Sequence, residues 1–240
     1  MSPLEDLRTH WASVARRPAR VVLRSLWSPS ASEYLNIARL HTDDPGLLLK
    51  AVVGGSAVVE PMRRTDTSGR EYGEVWQVDR SVREFLWGLV RSVRPDRMLE
   101  TGIADGASTR VVLDAMEAND RGALFGVDID RNVGRLARES SGAHRWKLTV
   151  LPKRGRARAL RALLRSVGPL DVFLHDSDHS YPWQLFEYRE AWRVLAPGGW
   201  LLSDDANASY ALMDFVRSVG QPLFLLAHPR KLFAVVRKGS

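Results

Sequence analysis

No cysteine occurs among the 240 residues. That absence excludes disulfides, thiolate nucleophiles and cysteine metal sites, and it suits a reducing compartment, so a cytoplasmic location is expected. No apolar run approaches the roughly 20 residues of a membrane span. The opening MSPLEDLRTHWASVARR mixes acids and arginines where a secretion signal would carry an apolar core. A soluble protein without a membrane partner is expected. Internal repeats and low-complexity tracts are also missing. So is the Gly-x-Gly-x-x-Gly of a dinucleotide site, because Ala104 stands where its second glycine would fall.

What is present is a chain with 45% hydrophobic residues and a formal charge of +7. One sizeable core with an N-terminal appendage is the natural division, with residues 1–80 as a helical and loop region and residues 81–240 carrying the chemistry. Leu4, Leu7, Trp11 and Val14 share a helical face that serves as packing surface, lid or dimer contact, and a homo-oligomer is expected. A further helix is predicted after Ser32 through Tyr34, Ile37, Ala38 and Leu40, Leu47 to Val53 is a short apolar segment, and Gly54 to Gly73 reads as a long exposed loop.

From Met98 onward strands and helices alternate. The predicted strands are Met98–Thr101, Ala123–Val127, Trp146–Leu151, Leu170–Leu174, Trp200–Ser203, Pro222–Ala227 and Leu232–Val236, with helices between them, one of which spans Arg131 to Glu139. This predicts an α/β fold of Rossmann-like type, with a mostly parallel seven-stranded sheet, helices on both faces, N-terminal helices and a C-terminal antiparallel hairpin.

In such sheets ligands bind beyond the carboxyl ends of the strands. Four of those ends are polar: Glu100 to Asp105, Asp128 to Asp130, His175 to His179, and Asp204 to Asn207. Gly102 and Gly106 allow backbone to approach a ligand closely, and the helix that follows offers free N–H groups. Asp128 is positioned to accept hydrogen bonds from ribose hydroxyls, leaving Asp130 as a cap. Asp176, Asp204 and Asp205 form an oxygen-only set suited to Mg²⁺ or another divalent cation, or else cap helices and pair with arginines. Asp176 is also a candidate for catalysis and cofactor contact. His179 is open to two readings, general base or packing beneath the next helix.

The ordered set ETGIADGAST, GVDID, DVFLHDSDHSY and LAPGGWLLSDD resembles the class I S-adenosylmethionine-dependent methyltransferases. The resemblance is greatest to the small-molecule O-methyltransferase branch that includes catechol, cephalosporin-hydroxylase-like and macrolide-sugar methyltransferases, and it covers Leu86 to Lys238. It implies that Glu100, Gly102, Asp105 and Ser108 surround the methionine part of S-adenosylmethionine and that Asp128 binds its ribose. It further implies that Asp176, Asp204 and Asp205 hold a divalent metal while a methyl group passes to a hydroxyl of a small-molecule acceptor. The chain departs from the family at Pro152-Lys153-Arg154-Gly155-Arg156, near the adenine, and at His175, where an apolar residue is more usual.

Three other readings use the same pocket: an RNA methyltransferase, a nicotinamide-dependent oxidoreductase, and a non-catalytic cofactor-binding protein. A basic chain suits the first, but no Asn-Pro-Pro-Tyr-like motif follows the fourth strand, and the arginine stripe Arg154, Arg158, Arg161 and Arg165 reads as a solvated helix face. Nucleic acid is therefore the less favoured partner.

Overall fold

The computed structural model describes residues 29–62, 78–227 and 231–240. The helix predicted over Leu4 to Val14 and part of the loop predicted over Gly54 to Gly73 lie outside the described residues. Eight strands form one sheet: β1 (Ala38–Thr42), β2 (Arg97–Thr101), β3 (Ala123–Asp128), β4 (Trp146–Val150), β5 (Leu170–His175), β6 (Leu195–Ser203), β7 (Leu223–Ala227) and β8 (Leu232–Arg237). Their order is β1-β7-β8-β6-β5-β2-β3-β4. Only β8 runs antiparallel to its neighbours β6 and β7.

Helices cover both faces: α1 (Ala31–Leu35), α2 (Pro45–Val53), α3 (Arg80–Val93), α4 (Ala107–Ala118), α5 (Arg135–Arg138), α6 (Arg156–Val167), α7 (Tyr181–Val194) and α8 (Ala211–Val219). Because strand side chains alternate sides, Met98, Val172 and Leu202 pack with Phe85, Leu89 and Val112 on one face. Leu99, Phe173 and Leu201 pack with Leu160, Tyr188 and Phe215 on the other. Each such fully buried side chain contributes about 1.5–3 kcal/mol.

The structure differs from the sequence reading at α1 and β1, at α5, and at β6, which starts at Leu195 where the predicted strand starts at Trp200. Helix α1 stops at Leu35 after a capping box between Ser30 and Glu33, and Ala38 to Leu40, predicted helical, belong to strand β1. That strand pairs in parallel with β7, which makes eight strands where seven are predicted. The helix predicted from Arg131 is reduced to Arg135–Arg138. Gly134 sits at φ +79 with the Trp146 ring where its Cβ would be, 2.2 Å from the nearest ring carbon, so right-handed helix cannot run through it.

Strands β2, β3 and β4 run outward in one direction, after which the chain returns to lay β5 beside β2 and continues through β6 in the other. The order therefore reverses between β2 and β5, and a crevice opens there. Backbone bonds stitch the edge beyond the strands: Gly102 N–H to Val127 O at 2.8 Å, Asp176 N–H to Thr101 O at 2.8 Å, and Asp204 N–H to His175 O at 2.9 Å. They bring loops far apart in sequence to one rim.

Candidate active site

The first glycine turn begins with Gly102 at φ +81, where a Cβ would lie 1.9 Å from the Asp176 carbonyl oxygen. Glycine is thus required for the loop after β2 to pack against the loop after β5, whether or not a ligand is near. Ala104 also adopts a left-handed conformation, φ 48, and its carbonyl accepts the Gly134 N–H at 2.8 Å. Behind the turn, Glu100 of β2 is fully buried and accepts hydrogen bonds from the Ser108 hydroxyl and, at 2.7 Å, from Thr109 Oγ1, both on α4. Burial pushes its carboxyl up to about 7 against those two donors. Asp105 and Ser108 are buried as well.

A cavity of about 670 Å³ lies over the switch point, a size suited to a small ligand. Gly102, Ile103 and Asp128 form part of its wall. The Asp128 carboxylate accepts Ile103 N–H at 2.9 Å, Ile129 N–H at 2.6 Å and Asp130 N–H at 3.0 Å, which fixes its orientation at the rim. Asp130 accepts Asn132 N–H at 2.9 Å and closes a turn; it does not cap α5, whose N-cap is Gly134. The apolar wall includes Ile129, Leu151 and Trp183. Arg156 stacks 4.2 Å from the centre of the Trp183 ring and pairs with Asp178 at 2.9 Å. The basic segment that departs from the family pattern therefore supplies one arginine to the cavity wall.

Opposite chemistry gathers around the ends of β5 and β6. Donor atoms of Asp176, His179 and Asp205 lie within 4.8 Å of one another. His179 Nε2 is 3.9 Å from Asp176 Oδ1 and 3.9 Å from Asp205 Oδ2, buried and without a hydrogen-bond partner among the described residues. Burial, reinforced by the neighbouring His175, lowers its pKa to about 4, so the imidazole is neutral with a lone pair available. Asp205 holds φ +46, a left-handed conformation that aspartate tolerates better than most residues. Asp204 is 1% exposed and pairs with Lys231 Nζ at 2.5 Å, while Lys231 is 3.7 Å from Asp205. Burial raises Asp176 well above the carboxylate range, with the Asp204 charge adding to it. It brings Asp204 to about 6, against the pull of Lys231.

Beneath these residues Glu187 accepts hydrogen bonds from Thr101 Oγ1 at 2.7 Å, His175 Nδ1 at 2.6 Å and Ser177 Oγ at 3.0 Å. Because a carboxylate only accepts, Nδ1 carries the proton. His175 is thereby explained: a fully buried histidine with a carboxylate partner, anchoring the loop that carries Asp176 and His179.

Residues 99–206 match a family model described as a methyltransferase domain. The matched residues are similar to methyltransferases, and the fold is the Rossmann-like class I methyltransferase fold. No curated protein sequence matches the chain significantly, but solved structures, O-methyltransferases among them, share its fold. The O-methyltransferase TomG from Streptomyces achromogenes, solved with S-adenosylmethionine, is 18% identical over 69% of this chain and 82% of that one, with a TM-score of 0.56. An O-methyltransferase from Bacillus cereus, in complex with S-adenosylhomocysteine, is 15% identical over 68% and 83%, with a TM-score of 0.54. Cofactor-bound Rv0187 from MTB is 19% identical over 88% of this chain and 97% of its own, also at 0.56.

The fold thus brings Gly102, Asp128, Asp176, His179, Asp204 and Asp205 to one cavity, while Glu100 at the end of β2, Asp105 in the turn and Ser108 at the start of α4 are buried behind it. The nitrogen and two carboxylates of His179, Asp176 and Asp205 fit a divalent cation, because a buried, unpaired imidazole nitrogen next to two carboxylates is costly without one. Sequence reasoning missed Lys231, Trp183 and Glu187, and it flagged Arg156 only as part of a segment that departs from the family pattern. For Trp183 and Glu187 the Tyr181 to Leu195 helical period, which puts them four residues apart on one face, offered a signal.

Proposed function

We propose that the protein transfers the methyl group of S-adenosylmethionine to a hydroxyl oxygen of a small molecule, assisted by a divalent cation. The observation that carries this reading is one cavity lined both by Asp128, at the end of β3, and by Asp176, His179 and Asp205, at the ends of β5 and β6. O-methyl transfer is also what the structurally similar proteins from Streptomyces achromogenes and Bacillus cereus are named for.

In this reading Asp128 accepts hydrogen bonds from the ribose hydroxyls, the backbone from Gly102 to Ala104 meets the methionine end, and Ile129, Leu151 and Trp183 flank the base. When bound, S-adenosylmethionine supplies an electrophilic methyl on a sulfonium, and a divalent cation makes a hydroxyl easier to ionise. Asp176 and Asp205 orient the acceptor hydroxyl, and the neutral His179 imidazole is free either to accept its proton or to act as a ligand. Catalysis of this kind draws chiefly on alignment, and the rigid rim of stitched strand ends suits it.

Calorimetric titration tests the cofactor half of the proposal. S-adenosylmethionine should bind and NAD should not, and Asp128→Ala should weaken binding by about 1–3 kcal/mol through lost charged hydrogen bonds. Tighter binding of NAD, or an unaffected variant, would overturn it. Transfer of a labelled methyl group to a panel of hydroxyl acceptors tests the other half.

A further inference from the structure

We infer that Lys231 is a resident cation of this site, which engages Asp204 and leaves an imidazole nitrogen, His179 Nε2, to complete the ligand set with Asp176 and Asp205. The inference rests on the divalent-cation reading above and divides the five side chains between two tasks, positioning and ligation. Lys231 enters from the start of β8, on the hairpin opposite the glycine turn, and its ammonium lies 2.5 Å from Asp204 Oδ2 but 3.7 Å from Asp205 Oδ2. Asp204 Oδ2 is therefore committed to the ammonium, its Oδ1 is buried without a hydrogen-bond partner, and the donor atoms that converge within 4.8 Å are those of Asp176, His179 and Asp205. Asp205, next in sequence and held in a left-handed backbone, places its Oδ2 3.9 Å from His179 Nε2 as well as 3.7 Å from the ammonium.

With all three carboxylates ionised, as a bound cation would require, Asp176, Asp204 and Asp205 against Lys231 leave two formal negative charges, which one divalent cation neutralises. His179 Nε2 is the unpaired buried nitrogen that faces both remaining carboxylates, and an imidazole donor favours Mn²⁺, Co²⁺ or Zn²⁺ over Mg²⁺. Asp204 and Lys231 are then positioning residues, and Asp176, His179 and Asp205 are the ligands.

The test uses the full chain, Mn²⁺ as probe, and no S-adenosylmethionine. Pulsed electron paramagnetic resonance of the Mn²⁺-loaded protein should show a directly bonded nitrogen, which His179→Ala removes and Asp204→Asn retains. By calorimetry, His179→Ala and Asp205→Asn should each weaken Mn²⁺ binding at least about tenfold, whereas Asp204→Asn should change it less than about threefold. Lys231→Met, which frees Asp204 and removes the competing charge, should tighten it. Absence of the nitrogen signal, no Mn²⁺ binding, or an Asp204→Asn loss equal to that of Asp205→Asn would overturn the inference. Titration of S-adenosylhomocysteine into the same samples keeps the two claims apart. Binding there, with no nitrogen signal, rejects this ligand set and leaves the methyltransferase reading standing.

Discussion

Glu100 carries a cost that depends on pH. Its carboxyl titrates near 7 in the folded protein against 4.5 ordinarily, because burial disfavours the ion. A raised acid pKa means the folded state holds its proton longer than the unfolded state. The protein therefore loses stability as pH rises from about 4.5 to 7, by about 3 kcal/mol in total for this group. Glu100→Gln keeps the shape and removes the charge, so its stability, measured by chemical denaturation from pH 4.5 to 8, should fall less than that of the wild type, and what fall remains comes from Asp176 and Asp204, whose carboxyls burial also raises. Parallel curves for the two proteins would contradict this. At the same scale, Asp128, Asp176, His179 and Asp205 were legible because polar residues at strand ends have few structural uses other than caps. Lys231 was not, since nothing local distinguishes a lysine in a hairpin turn. Its role exists only because β8 inserts between β6 and β7, a long-range pairing. Glu100 illustrates the converse: its motif position was plain, but its burial beneath Ser108 and Thr109 was not.

Among the elements, the turn between β2 and α4 governs the rest. Gly102→Ala would drive a methyl group into the Asp176 carbonyl and also strain a φ of +81. It should cost about 2–4 kcal/mol and abolish cofactor binding, since both the glycine turn and the acidic loop must shift. Gly155, at φ +75 with nothing within 4 Å of an added Cβ, is the control. Alanine there should cost only about 1–2 kcal/mol, the price of the left-handed backbone. Thermal unfolding of both variants with S-adenosylhomocysteine titration makes the comparison, and equal effects would show that the close approach to Asp176 is unimportant. Elements with strong periodicity, such as α4, α6 and the central strands, were readable to within a few residues. Strand β1 was not, because Ile37, Ala38 and Leu40 satisfy a helical spacing as well as an edge strand, and pairing with β7 decides between them. Helix α5 was overestimated because the ring of Trp146, a residue of β4, occupies the space beside Gly134.

For the molecule as a whole, the alternation of strands and helices was enough to expect a mostly parallel sheet and a site at its carboxyl edge. The order of the strands was not written in any local pattern, and the crevice between β2 and β5 follows from that order. The net charge of +7 invites a nucleic-acid partner, but the stripe on α6 argues for a solvated face. Arg158 and Arg165 are exposed there, and Arg161 pairs with Glu190 at 2.9 Å and lies over Phe186. Reversing Arg158 and Arg165 to glutamate should leave turnover of a hydroxyl acceptor nearly unchanged. Loss of salt-dependent RNA binding together with RNA methylation would instead favour an RNA substrate. Among the described residues no helix is long and apolar enough to cross a membrane. The most direct test of the central claim is labelled methyl transfer from S-adenosylmethionine to a hydroxyl acceptor, measured before and after exhaustive chelation and again with Mn²⁺ restored. Chelation should remove most of the transfer, Mn²⁺ should return it, and affinity for S-adenosylmethionine should hardly change. Full transfer by the chelated protein would contradict the account.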